Sequence, residues 1–324
     1  MSVECEEIER VDLQDSDRVA LGTMEGRTIN MYLTRHQTRG GPRWALDGRY
    51  LPPRFHLSLL LEHFANIVPL ELSSIPTAEI AEDPLLSPLD PLHEVWASEV
   101  TYPRSLEARK AVSGVADVYD NAYSAERPEL FLKAVGRRVV GYGQPVRTRS
   151  DSRWNVPESE LVLVLNQHLE IVGYTAGNDL SCRDIESENP LFLPQAKIYD
   201  DSCAIGPGIL ISEPDSLRDL PIELFIERDG VVIFNDSTRT SQMERRFEEL
   251  VTYLGRELDF PDGTLLMTGT GIVPPEEFSL RPGDKVRVVV GELTLENEVA
   301  SPEPGPRLSG WTFPYEGQRY RTIR

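Results

Sequence analysis

The sequence predicts an α+β protein that is mainly β, with a small N-terminal α/β unit over residues 1–90 and a larger strand-rich unit over 91–324. Three observations carry this reading. Beyond residue 91, short runs of valine, leucine, isoleucine and threonine recur between turn residues, which is the pattern of strands. Only two stretches there read as helices, 105–114 and 241–258, the second with amphipathic spacing. The segment between the units, 76–91, is rich in proline and acid and reads as a linker. Strands do not alternate with helices, so a doubly wound α/β arrangement is not expected.

Taken in order, residues 18–21 and 27–33 predict strands around the turn Glu25-Gly26. Residues 54–67 predict a helix whose apolar stripe is Leu57, Leu60, Leu61, Phe64 and Ile67. His36, His56 and His63 fall in this unit and read as structural or exposed. Strands follow over 96–102, 130–135, 161–165, 171–175, 222–227, 231–235, 265–269, 285–290 and 293–299. Gly230 and Gly291 each sit between two such runs, where a hairpin turn needs them.

A formal net charge of -20 argues against nucleic acid or an anionic membrane as partner. No long apolar segment and no leader pattern is present, so a cytoplasmic location is expected. Cys5, Cys182 and Cys203 are too few and too scattered to suggest a disulfide framework. The cations are lopsided: of 33, only four are lysines, Lys110, Lys133, Lys197 and Lys285. Where any positive charge serves, this chain writes arginine, so a lysine points to the chemistry of a compact ammonium. Lys197 is singled out because it lies downstream of a cluster of acids; Lys110 and Lys285 equally fit a solvated surface.

That cluster begins at Pro157-Glu158-Ser159-Glu160, just before the apolar run 161–165, and ends at Gly177-Asn178-Asp179, just after the run 171–175. The polar connection Asn166-Gln167-His168-Leu169 makes the two runs a hairpin. With the turn centred near His168, Glu160 is expected opposite Ala176 and Glu158 opposite Asn178, with Asp179 alongside. Glu158 and Glu160 share a face because side chains alternate along a strand. Exposed acids on an acidic chain are the plain alternative. Three carboxylates brought close, however, repel unless a cation offsets them. Oxygen donors favour magnesium, manganese or calcium, and no cysteine–histidine spacing suggests zinc. The glycine-rich turn Met267-Thr268-Gly269-Thr270-Gly271 lacks the spacing of a phosphate loop and reads as a plain turn or a carboxylate-binding one.

The stretch Gly173-Tyr174-Thr175-Ala176-Gly177-Asn178-Asp179-Leu180-Ser181-Cys182-Arg183-Asp184 resembles the signature of the fumarylacetoacetate hydrolase superfamily. So do the upstream Glu-x-Glu, the lysine before Ile205-Gly206-Pro207, the Thr268-Gly269-Thr270 turn and Leu280-Arg281-Pro282-Gly283-Asp284, in matching order over roughly 91–300. The resemblance implies a mixed β-roll catalytic domain behind a small N-terminal domain. It further implies Mg2+ or Mn2+ held by Glu158, Glu160 and Asp179, a 2-oxo acid substrate, and a homo-oligomer, dimer or tetramer.

The segment from Ser181 through Asn189-Pro190-Leu191-Phe192-Leu193-Pro194-Gln195-Ala196-Lys197 resembles a branch that dehydrates 2-keto-3-deoxy-pentonates. Glu94-Val95-Trp96-Ala97, Arg127-Pro128-Glu129 and Ser152-Arg153-Trp154-Asn155 resemble it too. The superfamily's C–C hydrolases place a water-activating histidine after the first strand, but Thr101-Tyr102-Pro103-Arg104-Ser105-Leu106-Glu107-Ala108 has none. His93 lies slightly upstream and could substitute, which keeps hydrolysis open. The expected reaction is therefore loss of water, giving 2,5-dioxopentanoate; acylpyruvate hydrolysis and oxaloacetate decarboxylation stand as alternatives. A bound cation acidifies the C3 protons of a 2-oxo acid. Lys197, its pKa lowered by the cation and by burial, is the expected base, with Glu186 the competing candidate. Arg183, Thr270 and Ser181 are the expected substrate contacts, although Arg183 equally fits an internal ion pair with Asp184.

Overall fold

The computed structural model describes residues 31–66, 75–112 and 125–301. The strand expected at 18–21, the turn at Glu25-Gly26 and most of the strand expected at 27–33 lie outside these residues. The described residues belong to one compact unit.

In chain order the first strands are β1 (Tyr32–Thr38), β2 (Gly41–Leu46), β3 (Arg49–Tyr50), β4 (Leu85–Leu86), β5 (Glu94–Glu99) and β6 (Glu129–Val135). Next come β7 (Val139–Val140), β8 (Val146–Arg147), β9 (Asn155–Val156), β10 (Ser159–Leu165), β11 (Ile171–Asp179) and β12 (Ser181–Cys182). The last six are β13 (Cys203–Ile211), β14 (Pro221–Arg228), β15 (Val231–Arg239), β16 (Thr264–Met267), β17 (Lys285–Val290) and β18 (Leu293–Ala300). The helices are α1 (Leu57–Phe64), α2 (Pro103–Val112), α3 (Arg183–Glu188), α4 (Leu193–Lys197) and α5 (Phe247–Leu254).

The main sheet runs β3-β2-β1-β13-β11-β10-β16-β5-β6. After β6 the chain makes one 3-10 turn over Gly136–Arg138 and enters β7, which pairs in parallel with β13. The strands from β13 to β6 thus curl into a mixed roll that closes through β7 back onto β13, as the α+β, mainly β reading expects. A second sheet, β15-β14-β17-β18-β8, packs on its outer face. Leu161, Leu163, Leu165, Tyr174 and Ala176 meet Ile222, Leu224, Ile226, Val286, Val288 and Leu295 there in one continuous core. Every residue of β10 is buried, which explains why its apolar run is unbroken rather than alternating.

Helix α1 buries Leu57, Leu60 and Leu61, and α5 buries Phe247, Leu250, Val251 and Leu254, as their spacing requires. Residues 76–91 are not a free linker. β4 pairs with β1, Ile80 bridges Arg49, and Ser87 and Leu89 are buried. Proline lacks an N–H but keeps its carbonyl, and Pro84 and Pro91 accept from Gln37 and Arg137 at 2.8 and 3.0 Å. β1 also pairs with β13, so a sheet ladder crosses the boundary expected at residue 90.

Candidate active site: four carboxylates inside the roll

Inside the roll the strand registers bring acids to one level. Val162 pairs with Met267 across β10 and β16, and Met267 pairs with Ala97 across β16 and β5. Two residues further along each strand lie Glu160, Gly269 and Glu99, and Glu160 is itself opposite Gly177 of β11. Glu158 lies one rung beyond, and its carbonyl accepts the Asp179 N–H at 3.0 Å. Asp179 is therefore directly opposite Glu158, one residue away from the expected register. The hairpin begins as expected, with Leu165 opposite Ile171, but a bulge then pairs Val164 with Gly173 and skips Val172. All four acids are buried, Glu158 at 1 % exposure and Glu160 at 0 %.

Local backbone supports this convergence. Val100, directly after Glu99, has a φ of 55°, a rare value for a β-branched residue that turns the chain sharply out of β5. Gly269, at φ 88°, sits where a Cβ would lie 2.2 Å from Thr101 Oγ1. Only glycine lets this backbone come close enough for its N–H to donate to Glu160 Oε2 at 2.7 Å. Glu160 Oε1 has no hydrogen-bond partner.

Lys197, at the end of α4, points into the cluster. Its Nζ donates to Glu158 Oε2 at 2.7 Å and Asp179 Oδ2 at 3.3 Å and pairs with Glu99 Oε1. Burial lowers its pKa, but Asp179, Glu158, Glu99 and Glu186 outweigh burial and hold it well above the ordinary lysine value. The chain's own residues thus favour the ammonium, against the lowered pKa expected from sequence. A divalent cation sharing the same carboxylates pushes in the opposite direction. Glu160 is driven far up, first by burial and then by Asp179, Glu158 and Glu99, with Lys197 pulling it down.

The remaining expected residues fall around this centre. Arg183 Nη2 lies 3.4 Å from Glu158 Oε1. The Arg183–Asp184 pair is not formed: Asp184 accepts from Ser152 Oγ and from the Arg153 and Ile185 N–H groups. Buried Glu186 accepts from Ser181 Oγ at 3.1 Å. Thr270 follows Gly269, and its hydroxyl is taken up by the Ile272 backbone at 3.2–3.3 Å. His93 stands at the far end of β5, about 20 Å of extended chain from Glu99. It is held there by the Asp90 N–H and the Asp262 carbonyl, and burial pushes its pKa down.

Two members of the site were not picked out from sequence. Glu99 groups with Glu158 and Asp179, their oxygens within 4.8 Å of one another. Its signal was available, because Val95, Ala97 and Glu99 alternate inward along one strand. Lys133 of β6 is fully buried and pairs with Asp179 Oδ1. Its signal was the scarcity of lysine in an apolar run.

The donor set suits a hard divalent cation. Four carboxylates (Glu99, Glu158, Glu160, Asp179) face two ammonium groups (Lys133, Lys197), while Arg183 and Glu186 offset each other. With all four carboxylates ionised, two negative charges remain, which one divalent ion balances, and Glu160 Oε1 is a buried acceptor with no protein donor. Among the described residues no helix is long and apolar enough to cross a membrane.

Residues 95–300 match the family model described as fumarylacetoacetate (FAA) hydrolase C-terminal. A protein from Haloferax volcanii described as a probable 2-keto-3-deoxyxylonate dehydratase is 47% identical over 210 residues, 64% of this chain and 72% of that one. The 2-dehydro-3-deoxy-D-arabinonate dehydratase of Saccharolobus solfataricus is 42% identical over 227 residues, 68% of this chain and 76% of that one. A solved 2-keto-3-deoxy-D-arabinonate dehydratase, complexed with magnesium and 2,5-dioxopentanoate, superimposes with a TM-score of 0.71 at 36% identity, covering 84% of this chain and 99% of that one. The rolled sheet, its inward acids and a family match over more than half the chain agree: this protein belongs to the fumarylacetoacetate hydrolase family.

Proposed function

We propose that the protein is a divalent-cation-dependent dehydratase that converts a 2-keto-3-deoxy-pentonate of the D-arabinonate type to 2,5-dioxopentanoate and water. One observation carries the reading: the Lys197 amine lies within hydrogen-bond reach of Glu158 and Asp179, so a proton-exchanging group adjoins an all-oxygen cation site. The likeness to dehydratases of such acids, one of them holding magnesium and the product, supports it.

Glu158, Glu160, Asp179 and Glu99 would hold Mg2+, with Mn2+ or Ca2+ as substitutes. When bound, the cation supplies Lewis-acid polarisation of the 2-oxo group. Arg183 neutralises the substrate carboxylate, and Ser181 and Thr270 border the same space. Lys197 takes a C3 proton, the C4–O bond breaks, and Glu186 delivers a proton so that the hydroxyl leaves as water. Loss of a C5 proton and gain of one at C3 then move the double bond to C4–C5, and the resulting enol tautomerises to the aldehyde. Enclosure in the roll excludes bulk water from these transfers. C–C hydrolysis gains no support, because residues 101–108 lack a histidine and His93 is engaged at the other end of β5.

The test is incubation with 2-keto-3-deoxy-pentonates and, separately, acylpyruvates, with and without EDTA. A coupled aldehyde dehydrogenase detects the product. EDTA-sensitive aldehyde formation is expected; pyruvate release without aldehyde defeats the proposal. A cytoplasmic homo-oligomer is part of the same proposal, and light scattering distinguishes dimer from tetramer. The small N-terminal domain over 1–90 is proposed on the ground that the site's side chains all follow residue 91; limited proteolysis tests it.

A further inference from the structure

We propose that Lys133 is the positioning residue of the cation site, clamping Asp179 and the backbone of Lys197 into one fixed arrangement. This inference rests on the cation site assigned under Proposed function. An ammonium has three N–H donors, and three acceptors surround this one. The Lys197 carbonyl lies at 2.6 Å, the Leu180 carbonyl at 3.1 Å, and Asp179 Oδ1 pairs with the charge. The three acceptors belong to the end of β11, the residue after it, and the end of α4. Lys133 therefore ties a ligand strand to the helix that carries the expected base. It occupies Asp179 Oδ1 and leaves Oδ2 to accept from Lys197.

Two independent features mark this position. Lys133 falls at a bulge: Trp96 pairs with Leu132 and Val95 with Ala134, so Lys133 has no cross-strand partner. Such irregularities redirect side chains beside active sites. The position also holds one of only four lysines beside 29 arginines, 33 less four. A planar guanidinium cannot place three donors around a point as an ammonium does, so this site has a reason to be lysine.

The experiment compares Mn2+ binding to the full-length wild type and Lys133→Met, read by EPR of free Mn2+, with circular dichroism as the folding check. Loss of a group that orients a metal ligand costs tenfold to a hundredfold in affinity. A tenfold or greater loss in folded Lys133→Met is expected. The opposite sign is equally readable. A lysine acting only as a charge repels the cation, so its removal tightens binding; one that only fills space leaves binding unchanged. Either result overturns the proposal. Failure of wild type to bind Mn2+ would instead overturn the cation site itself.

If Lys133→Met does not fold, 15N-lysine labelling of the wild type decides. Four side-chain signals are possible, assigned with Lys110→Arg, Lys285→Arg and Lys197→Met. A Lys133 ammonium signal protected from exchange and shifted by Mg2+ is expected. An exchanging signal, or one that Mg2+ leaves unmoved, overturns the clamp.

Discussion

Replacing Glu160 by glutamine tests the charge balance of the site. Glutamine keeps an oxygen for the Gly269 N–H, 2.7 Å from Glu160 Oε2, and nearly conserves volume, so the main loss is one charge. Burial, then Asp179, Glu158 and Glu99, raise the Glu160 pKa well above the ordinary value. A carboxyl with a raised folded pKa binds more protons in the native state than in the unfolded one. Stability therefore falls as pH rises from the unfolded pKa through the folded pKa, and the whole cost is present above it. One carboxylate oxygen is partnered and one is not, so the penalty is that of a single orphaned buried acceptor, on the order of 1–3 kcal/mol. At about 2–4 °C per kcal/mol, Glu160→Gln should melt several degrees above wild type in EDTA at neutral pH. Saturating Mg2+ should reverse the order. At a hundred times Kd the ion stabilises wild type by about 2.7 kcal/mol, while the variant has lost a ligand oxygen. Scanning fluorimetry in EDTA and in Mg2+ reads both signs. As pH falls from the folded pKa of Glu160 towards its unfolded pKa, the cost shrinks and the EDTA difference should vanish. A variant that melts below wild type in EDTA at neutral pH would show Glu160 to be a well-compensated group and refute the reasoning.

The other expectations concern the base, the rejected hydrolytic histidine and the packing beneath the acids. Lys197→Met should lower kcat/KM by about a hundredfold to ten-thousandfold, as loss of a positioned proton-transfer group does; near-normal turnover in the aldehyde assay would remove Lys197 from the reaction. His93→Asn should leave turnover within a few-fold and cost about 1–3 kcal/mol of stability, since it breaks buried hydrogen bonds far from the acids; a collapse of kcat with an unchanged melting temperature would revive the hydrolytic reading. Gly177→Ala places a Cβ 2.5 Å from Val162 Cγ2 and 2.9 Å from Met267 Cε, both beneath Glu160. Overpacking there should cost about 1–3 kcal/mol and weaken Mn2+ binding, checked by urea melts and EPR.

What the sequence made legible follows from what each signal depends on. The hairpin β10–β11 and the sandwich strands β14, β15, β17 and β18 were visible because strand propensity and turn glycines are local. Gly230 and Gly291 do take positive φ, 80° and 56°, at the β14–β15 and β17–β18 turns. β13 was missed because Gly206-Pro207-Gly208 reads as a break, whereas the strand carries it through a register slip opposite Tyr174 and Ala176. The linker at 76–91 was misread because prolines also suit a sheet edge, where only their carbonyls are needed. Glu99 and Lys133 stayed hidden for a different reason: they reach the site from β5 and β6. Only closure of the roll, through β7 onto β13, brings those strands around to β11.

The register of the acid hairpin shows where local reading ends. An antiparallel pair places directly opposed residues on the same face, and a one-residue slip exchanges the faces. The turn alone puts Leu165 opposite Ile171; continued without interruption, it sets Glu158 against Asn178. Asp179 would then share the face of Leu161, Leu163 and Leu165, which pack in the apolar core, away from Glu158 and Glu160. The convergence expected from sequence does not follow from that register. It follows from the skip at Val172, which moves Asp179 opposite Glu158 and leaves Asn178 opposite Ser159. A second slip, at Val95/Trp96, coincides with Lys133, which holds that same Asp179. Residue types pointed to a hard-cation site; two irregularities in the ladders bring its acids together. Bulges depend on how twisted strands are accommodated within a closed sheet, so a single strand's sequence carries little trace of them.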